Sequence, residues 1–518
     1  MAKATKNRAS KNAYISPSQM MFEGFETPFA QKLDPDNRWV RLAHKMPWDL
    51  LVTTYQSQLN NSQRGAEGIN PRVAIGAMIL KHICNMSDRE TVMQIQENMY
   101  MQYFIGYSSF SNEEPFDPSL FVEFRKRMGI EQINAINEKI LGVSKKHDDS
   151  SFEDEGESGN SGGPTKEVNI QAKETNKDAP LLANKGKLIT DATACPQDIA
   201  YPTDLNLLND AREKSELLID TLYSPQLHKS KPRTDRKEAR KFYLHTAQKK
   251  NKSKKEIRKA IRKQLSYLKK NLKSINLLLD AYPIIPLKQK DYKYLLVINT
   301  VYEQQQKMFT EHVHSIEDRI VSIHQPHVRP IVRGKSNAYV EFGAKINVSL
   351  MNGFAFLDDL SWDAFNEGTR LMASVEKYKQ RFGYYPKDVM ADKIYCNRAN
   401  RAALKLLGIT LHAKPLGRPK AVEDHISPGE RNPIEGKFGQ AKTAYGMNRI
   451  KARLSQTSES WIATIVLVLN LIKIIGLGCY NYVLSLIYSA MNIAELREYF
   501  LRKFIWLSFE KRNMGALI

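Results

Sequence analysis

Apolar residues recur at helical spacing through the first part of the chain, from Leu33 to about Met128. The pattern predicts helices at three places, Pro71–Leu80, Thr91–Met99 and Phe116–Arg127. Ser87 and Glu90 have the spacing of a capping box at the start of the second helix. Short helices with basic ends fit a helix-turn-helix-like DNA-binding module, and they fit plain helical packing equally well. The pattern therefore predicts an all-α domain over residues 31–145.

Strand-like and helical segments alternate from residue 187 onward. Runs rich in β-branched and apolar residues predict strands at Lys187–Thr193, Arg319–Ile323, Val340–Leu350, Pro386–Asp392 and Ile409–His412. Helical patterns between them end at Leu222, Phe382 and Leu407, the last followed by Gly408. Such alternation is typical of an α/β domain.

Three stretches flank or separate these domains. Residues 1–30 are polar and basic and predict a flexible arm, and residues 146–186 have the acidic, Ser- and Gly-rich composition of a disordered linker. Residues 461–477 are apolar enough for a short membrane span, but Asn470 and Lys473 interrupt them and favour a helix buried in a large core. We predict a catalytic domain over residues 187–477 and a helical tail over residues 478–518.

A long basic segment lies within the predicted catalytic domain. Between residues 229 and 273 there are 19 Lys and Arg and only three acids. A solvated helix face is the usual reason for such a run, but charges of one sign repel one another unless an anionic partner neutralises them. We interpret this segment as part of a helical insertion over about residues 209–312.

The overall charge narrows the class of partner. The net charge of +21 and the pI near 9.5 indicate a polyanion, with nucleic acid ahead of a membrane surface. Four widely separated cysteines fit neither a disulfide framework nor a zinc site, which favours a reducing compartment. The N-terminus lacks the apolar run of a signal peptide.

Three acids stand out by their positions. Asp191 and Asp392 lie at the carboxyl ends of predicted strands, where sites form in open α/β sheets, and Glu435 lies at a predicted helix start. Carboxylates brought together repel one another unless cations neutralise them, and oxygen-only ligands favour Mg²⁺ or Mn²⁺. Each acid alone could equally be an ordinary turn or cap residue. Together they suggest a two-metal site for phosphoryl transfer on nucleic acid.

The stretch around Glu435 is the most informative. Asn432 and Pro433 predict a helix start, and a helix continued far enough would align Glu435 with three basic residues, Lys442, Arg449 and Arg453. Such a face suits a divalent ion at one end and a phosphate backbone along the rest. The alternative is that Glu435 completes a capping box behind Asn432.

At this point the chain resembles a known family, the bacterial DDE transposases of insertion sequences (the insertion-sequence five and four groups). The resemblance covers most of its length and rests on MSDRETVMQIQENMYMQYFIGY and FDPSLFVEFRKRM in the N-terminal part, and on LITDATACPQDIAYPTDLNLLNDAR, DVMADKIYCNRANRAALKLLGI and RNPIEGKFGQAK around the three acids. One position departs from the family pattern, because Pro428 stands where a Tyr is usual. This departure puts in doubt any positioning role of that Tyr, but not the acids.

The resemblance implies an RNase H-like catalytic domain with a mixed sheet flanked by helices, and an N-terminal DNA-binding domain. It implies that Asp191, Asp392 and Glu435 are the catalytic residues and bind two Mg²⁺ (or Mn²⁺) ions. It assigns DNA contacts to Arg431 and Lys442, to which the basic face adds Arg449 and Arg453. The expected activity is DNA cleavage and strand transfer at terminal inverted repeats. The expected assembly is a homodimer on double-stranded DNA, in the bacterial cytoplasm at the nucleoid.

Two other functions remain open at this stage. A metal-dependent nuclease or resolvase of the same fold would cut without joining, although the N-terminal domain and the insertion argue against it. A catalytically inactive DNA-binding relative is disfavoured by the presence of all three acids.

Overall fold

The computed structural model describes residues 33–58, 68–141, 183–335, 338–413, 431–474 and 476. The predicted arm, nearly all of the predicted linker, the predicted tail and Pro428 lie outside these residues. Contacts divide the chain into two units, one formed by Met1–Gln56, Asn60–Pro118 and Leu467–Ile518, the other by Ser57–Leu59 and Ser119–Val466. We call them the N-terminal unit and the sheet unit.

The described part of the N-terminal unit is helical, as predicted. Its helices are α1 (Arg38–Lys45), α2 (Trp48–Gln56), α3 (Pro71–Ile83), α4 (Asp88–Glu97) and α5 (Met99–Phe104). Asn70 caps α3 ahead of its first-turn proline, and the Ser87 side chain accepts from the Glu90 N–H to cap α4. The buried Arg72 lies over the Trp48 ring at 4.5 Å and donates to the Phe104 carbonyl at 3.1 Å. Polar caps and one aromatic centre therefore define this unit.

The sheet unit is built around one long antiparallel strand pair. Its strands are β1 (Lys187–Pro196), β2 (Arg329–Lys335), β3 (Ala338–Met351), β4 (Phe354–Ser361), β5 (Asp388–Met390) and β6 (Thr410–His412). The order is β2-β3-β1-β5-β6, with β4 also paired to β3. The pairs β1–β3, β2–β3 and β3–β4 are antiparallel, and β1–β5 and β5–β6 are parallel. The predicted mixed sheet is present.

Helices surround this sheet in the order of the chain. They are α6 (Phe121–Arg127), α7 (Ile130–Ile140), α8 (Asp204–Leu222), α9 (Arg236–Ala247), α10 (Lys254–Leu279), α11 (Gln289–Glu311), α12 (Leu371–Phe382), α13 (Arg398–Leu406) and α14 (Asn432–Thr443). A core that includes Leu188, Val389, Leu371 and Tyr395 joins the sheet to α12. The insertion, α8 to α11, has a core of its own that includes Leu208, Leu268 and Ile298.

Several predicted elements differ from the structure. Arg319–Ile323 is not a strand; its buried Ile320 and Ile323 belong to the core of the helical insertion instead. The strand that carries Asp191 continues to Pro196, so this residue lies inside β1 and not at its end. Strands β2 and β4 were not anticipated. The Pro386–Asp392 strand is shorter than predicted, since β5 comprises Asp388–Met390.

The apolar segment near residue 461 forms α15 (Ser455–Ile474), which spans the border of the two units. By length and composition it could cross a bilayer, yet 83% of its apolar window is buried inside the protein, and Asn470 is fully buried within it. This supports the predicted buried core helix.

Gly343 provides a test of the strand pair that carries Asp191. It lies opposite Pro196, and a Cβ there would overlap the Cys195 carbonyl oxygen and lie 2.9 Å from the Pro196 Cα. We expect Gly343→Ala to lower the free energy of unfolding of the sheet unit by about 2–4 kcal/mol, because the backbones of both strands must move apart. Urea denaturation followed by circular dichroism measures the change.

Gly439→Ala is the matched control. This glycine lies inside α14 with nothing within 4 Å of an added Cβ, so alanine there should leave stability unchanged or raise it by about 0.5–1 kcal/mol. Equal effects of the two substitutions would contradict the tight β1–β3 approach.

Candidate active site

Asp191 and Asp392 lie side by side because of the register between β1 and β5. The last paired residues of these parallel strands are Ile189 and Met390. Each acid lies two residues further along its own chain segment, so both side chains project from the same face of the sheet. Asp392 continues the extended backbone (φ −75°, ψ 166°) before the chain turns. The sequence rule that sites form beyond the ends of parallel strands thus holds for the pairing, although β1 itself runs on.

Asp392 also caps a short 3-10 helix over Lys393–Tyr395. Its Oδ1 accepts from the Lys393 N–H at 2.7 Å, and about half of its side chain is exposed. The cap fixes the carboxylate while leaving it open to solvent. The ordinary role, a cap residue, and the predicted role, a site residue, are therefore compatible here.

Glu435 lies in the first turn of α14. Ile434 and Ala441 are fully buried and seven residues apart, which orients this helix and leaves Glu435 at the edge of its inner face. The helix begins one residue earlier than expected, with Arg431 as N-cap and no side-chain cap hydrogen bond. The Glu435 carboxylate bonds Arg431, which replaces the capping-box alternative.

The Arg431 guanidinium brings these acids to one place. Its Nη1 lies 3.2 Å from Asp392 Oδ1, and its Nη2 donates to Glu435 Oε1 at 2.5 Å. Arg431 also interacts electrostatically with Asp191. Burial lowers the pKa of Arg431, but Asp392, Asp191 and Glu435 outweigh burial and hold it above its ordinary value. Three acids predicted from distant parts of the chain therefore surround one cation.

Asp191 is the electrostatically costly member. Burial raises the pKa of its carboxyl to about 6, and the charges of Glu367 and Asp392 act in the same direction. The Ala192 N–H, which donates to Asp191 Oδ1 at 2.8 Å, and Arg431 oppose the shift. A buried carboxylate with an elevated pKa among other acids is a common feature of functional sites.

The donor set fits a hard divalent ion in chemistry. All three side chains offer carboxylate oxygens, and the cluster already contains a positive charge between two of them. Among the residues that the structure describes, however, no three His, Cys, Asp or Glu side chains are grouped closely enough to hold a metal ion. Metal binding at this site would require Arg431 to give way and the carboxylates to approach.

The sequence gave no warning of Glu367. This residue lies in the 3-10 helix over Glu367–Arg370, and it is a fourth carboxylate within the electrostatic range of Asp191. Its Oε1 pairs with Lys345 Nζ at 2.9 Å, and the same Nζ donates to the Phe365 carbonyl at 2.9 Å. Only the fold brings Glu367 here, since no spacing or strand-end rule points to it.

Two further residues hold the segment that follows Asp392. A Cβ on Gly368 would lie 2.7 Å from the Ile394 carbonyl oxygen, so the two 3-10 helices approach as closely as a glycine allows. The buried Tyr395 donates to Asn347 Oδ1 at 3.3 Å, and burial raises the pKa of its hydroxyl. These contacts are positioning contacts that sequence reasoning missed.

The predicted basic face of α14 is not continuous. The helix ends at Thr443, and Gly446 has a positive φ of 73°, so Arg449 and Arg453 leave the helix and do not extend the face of Glu435 and Lys442. The chain instead runs along the end of β1, where the Ile450 N–H donates to the Pro196 carbonyl at 2.8 Å. About 16 Å of strand separates Pro196 from Asp191.

The four basic residues of the prediction therefore occupy different places. Arg431 lies among the acids, and Lys442 lies half-buried in the last turn of α14. Arg449 pairs with Asp198 at 2.9 Å, and Arg453 lines a cavity of about 340 Å³ together with Asp198 and other residues. Their DNA contacts remain a prediction.

The elevated pKa of Asp191 leads to a stability test. The folded chain keeps this proton up to about pH 6 whereas the unfolded chain releases it near 3.8, so stability falls as pH rises from about 4 to about 6. We expect Asp191→Asn to remove this loss and to raise the free energy of unfolding at pH 7 by about 1–3 kcal/mol. Urea titrations of both proteins at pH 4.5 and 7 measure it, in numbers chosen from about pH 4 to 7.

Asp363→Asn is the control for this test, because Asp363 is three-quarters exposed and should change stability by less than about 0.5 kcal/mol at either pH. A parent protein and an Asp191→Asn variant with the same pH dependence would refute the burial of this charge.

Comparison with known proteins agrees with this geometry. Residues 389–472 match the family model described as "Transposase DDE domain", a range that includes Asp392 and Glu435, and residues 27–127 match "Transposase domain (DUF772)". An uncharacterized protein, ORF8 in the nfe locus of Rhizobium meliloti, is 34% identical over 97 residues, which are 19% of this chain and 46% of that relative. The chain thus spans about half the length of this curated relative. No solved structure matches significantly.

The resemblance inferred from the motifs is confirmed by two independent domain matches, one at each end of the described chain, and the insertion-sequence five and four groups are consistent with both. The chain belongs to the DDE transposases.

Proposed function

We propose that this protein is a DNA transposase that binds the terminal inverted repeats of an insertion sequence and catalyses metal-dependent cleavage and strand transfer. The observation that carries the proposal is the convergence of Asp392 and Glu435 on one guanidinium, with Asp191 beside them. These acids come from a strand, a strand end and a helix that are far apart in sequence. They match the three acids that give the family its name.

The topology supports an RNase H-like catalytic domain. A central strand, β1, pairs with an antiparallel β3 on one side and a parallel β5 on the other, and β4 and β6 extend the sheet. The first acid lies on the central strand, the second follows the parallel neighbour, and the third is on a helix near the chain's return to β1. This layout places all three on one side of the sheet's centre.

Asp191, Asp392 and Glu435 would hold the divalent ions. When bound, two Mg²⁺ ions activate a water or a 3′ hydroxyl and stabilise the leaving oxygen of an in-line displacement. The protein side chains orient the ions through fixed carboxylates, since Asp392 is held by the Lys393 N–H and Asp191 by the Ala192 N–H. Arg431, released from the carboxylates, would be free to contact a phosphate of the cut strand.

The remaining assignments follow from charge and position. Lys442, Arg449 and Arg453 would contact the phosphate backbone, which positions DNA without reading its sequence. Recognition of the transposon end would then rest on the N-terminal helical domain, residues 31–145. The pairing of two ends favours a homodimer on DNA, and the substrate favours a location inside the bacterial cell, at the nucleoid.

Substitution of Asp392 tests the proposal. With Mg²⁺ and a duplex that contains the inverted repeat flanking the gene, we expect the full chain to nick the repeat's end and Asp392→Asn to reduce the rate at least about 10³-fold, because one ligand of the reacting centre is lost. Denaturing gel electrophoresis of labelled strands measures the nicking.

Glu303→Gln, an exposed carboxylate of α11, is the matched control and should retain the parent rate. Undiminished nicking by Asp392→Asn would overturn the assignment of the site. A pre-cut end with a free 3′ hydroxyl separates transposase from nuclease, since only the former joins it to target DNA.

A further inference from the structure

The longest helix of the insertion has an unusual charge balance. Between Lys254 and Leu279, α10 carries nine Lys and Arg and one acid, Glu256. That acid is already engaged, since it completes the capping box with Ser253 and bonds Lys249. From residue 257 to the end of α10 no carboxylate is present.

Five of these cations share one face. At about 100° per residue, Lys255, Lys259, Arg262, Lys269 and Lys273 fall within about 40° of a common line, and Ser266 fills the gap between Arg262 and Lys269. All five side chains are exposed. We call this set the α10 stripe. The opposite side of the helix packs into the core of the insertion through Leu268 and Ile275, both fully buried.

Nearby acids do not neutralise the α10 stripe. Helix α9 lies alongside, and its bordering acid, Asp235, pairs with Lys270 at 2.6 Å and with Arg233 at 2.6 Å. Asp220 pairs with Lys231 and Arg236. Within the described parts of the chain, none of the five stripe cations has a carboxylate within 4.0 Å.

The neighbouring helix α11 shows that this is not a general property of the insertion. Over 23 residues it carries three Lys and three acids, an even balance typical of a solvated face. Like charges three or four residues apart on α10 destabilise the helix, so the stripe is a cost unless an anion binds it.

We propose that the α10 stripe binds the phosphate backbone of duplex DNA, as a second contact surface outside the acid cluster. The inference rests on the proposed function, which supplies DNA as the polyanion. The stripe extends over about 27 Å, the axial length of about eight base pairs. Lysines dominate it and no aromatic residue lies on it, so it contacts backbone charge and reads no base sequence.

The geometry favours DNA over an anionic membrane surface. A helix that lies on a bilayer needs an exposed apolar face beside its basic one. The apolar face of α10 is committed to the core shared with α8 and α11, through residues such as Leu265 and Leu272. A purely charged outer face suits a polyanion that stays in water.

Salt dependence of binding tests the α10 stripe. The full chain is measured by fluorescence anisotropy, in EDTA, on a short duplex of arbitrary sequence between about 50 and 200 mM salt. The stripe variant carries Lys259→Gln, Arg262→Gln and Lys269→Gln. We expect it to bind at least about tenfold more weakly and to lose about 2.7 from the magnitude of the slope of log K against log salt, about 0.9 for each contact. Lys259→Gln alone should lose about 0.9.

The matched control removes the same charge from α11 through Lys290→Gln, Lys293→Gln and Lys307→Gln, all exposed positions. It should keep the parent slope. Equal losses in the two variants would overturn the proposal, because only net charge would then matter. A stripe variant that binds DNA normally but no longer binds phosphatidylserine vesicles would also overturn it.

The outcome is separable from that of the proposed function. Loss of nicking in Asp392→Asn together with equal slopes for the two triple variants leaves the transposase assignment intact and refutes the α10 stripe. A parent chain that binds no duplex at all refutes both. Unchanged circular dichroism and urea midpoints establish that the variants fold.

Discussion

Negative charges gathered at one place need a positive charge among them, and this requirement governs the centre of the sheet unit. Arg431 meets it by bonding Glu435 and pairing with Asp392, while Asp191 stays buried with an elevated pKa. The cluster is thus arranged around a cation. The guanidinium holds the acids in proximity without closing them to ligand distance, and it occupies the position that makes a divalent ion favourable.

The convergence depends on backbone placement more than on the acids themselves. The register of β1 against β5 sets Asp191 beside Asp392, and the tight approach of β1 to β3 at Gly343 fixes where β1 lies. Gly368 brings a second 3-10 helix against the segment after Asp392, together with the fourth carboxylate, Glu367. A site made of short, charged side chains is therefore held by glycines and by strand pairing. A stiff frame of this kind keeps repelling charges in place, and the cost appears as the stability that Asp191 withholds.

Sequence reasoning predicted the helical N-terminal part, the mixed sheet, the buried apolar helix and the three acids. It failed where tertiary contacts decide the structure. Arg319–Ile323 has strand composition, but Ile320 and Ile323 join a helical core instead of a strand ladder. The helix of Glu435 stops at Thr443 because the chain turns at Gly446 and docks on the end of β1, which separates Arg449 and Arg453 from the acids. Glu367 was invisible, since no local pattern distinguishes it from any exposed glutamate. The acids were found because strand ends and a family motif mark them, whereas their partners are set by the fold alone.

The central claim, that Asp191, Asp392 and Glu435 meet around one cation position, is tested most directly by localised cleavage of the protein chain. Fe²⁺ bound in place of Mg²⁺ and treated with ascorbate and peroxide generates radicals that cut nearby backbone, and mass spectrometry of the fragments maps the cuts. The account predicts cuts in all three segments, near residues 191, 392 and 435, which excess Mg²⁺ suppresses together. Cuts confined to one segment, or three sets of cuts that Mg²⁺ suppresses at different concentrations, would contradict a shared site.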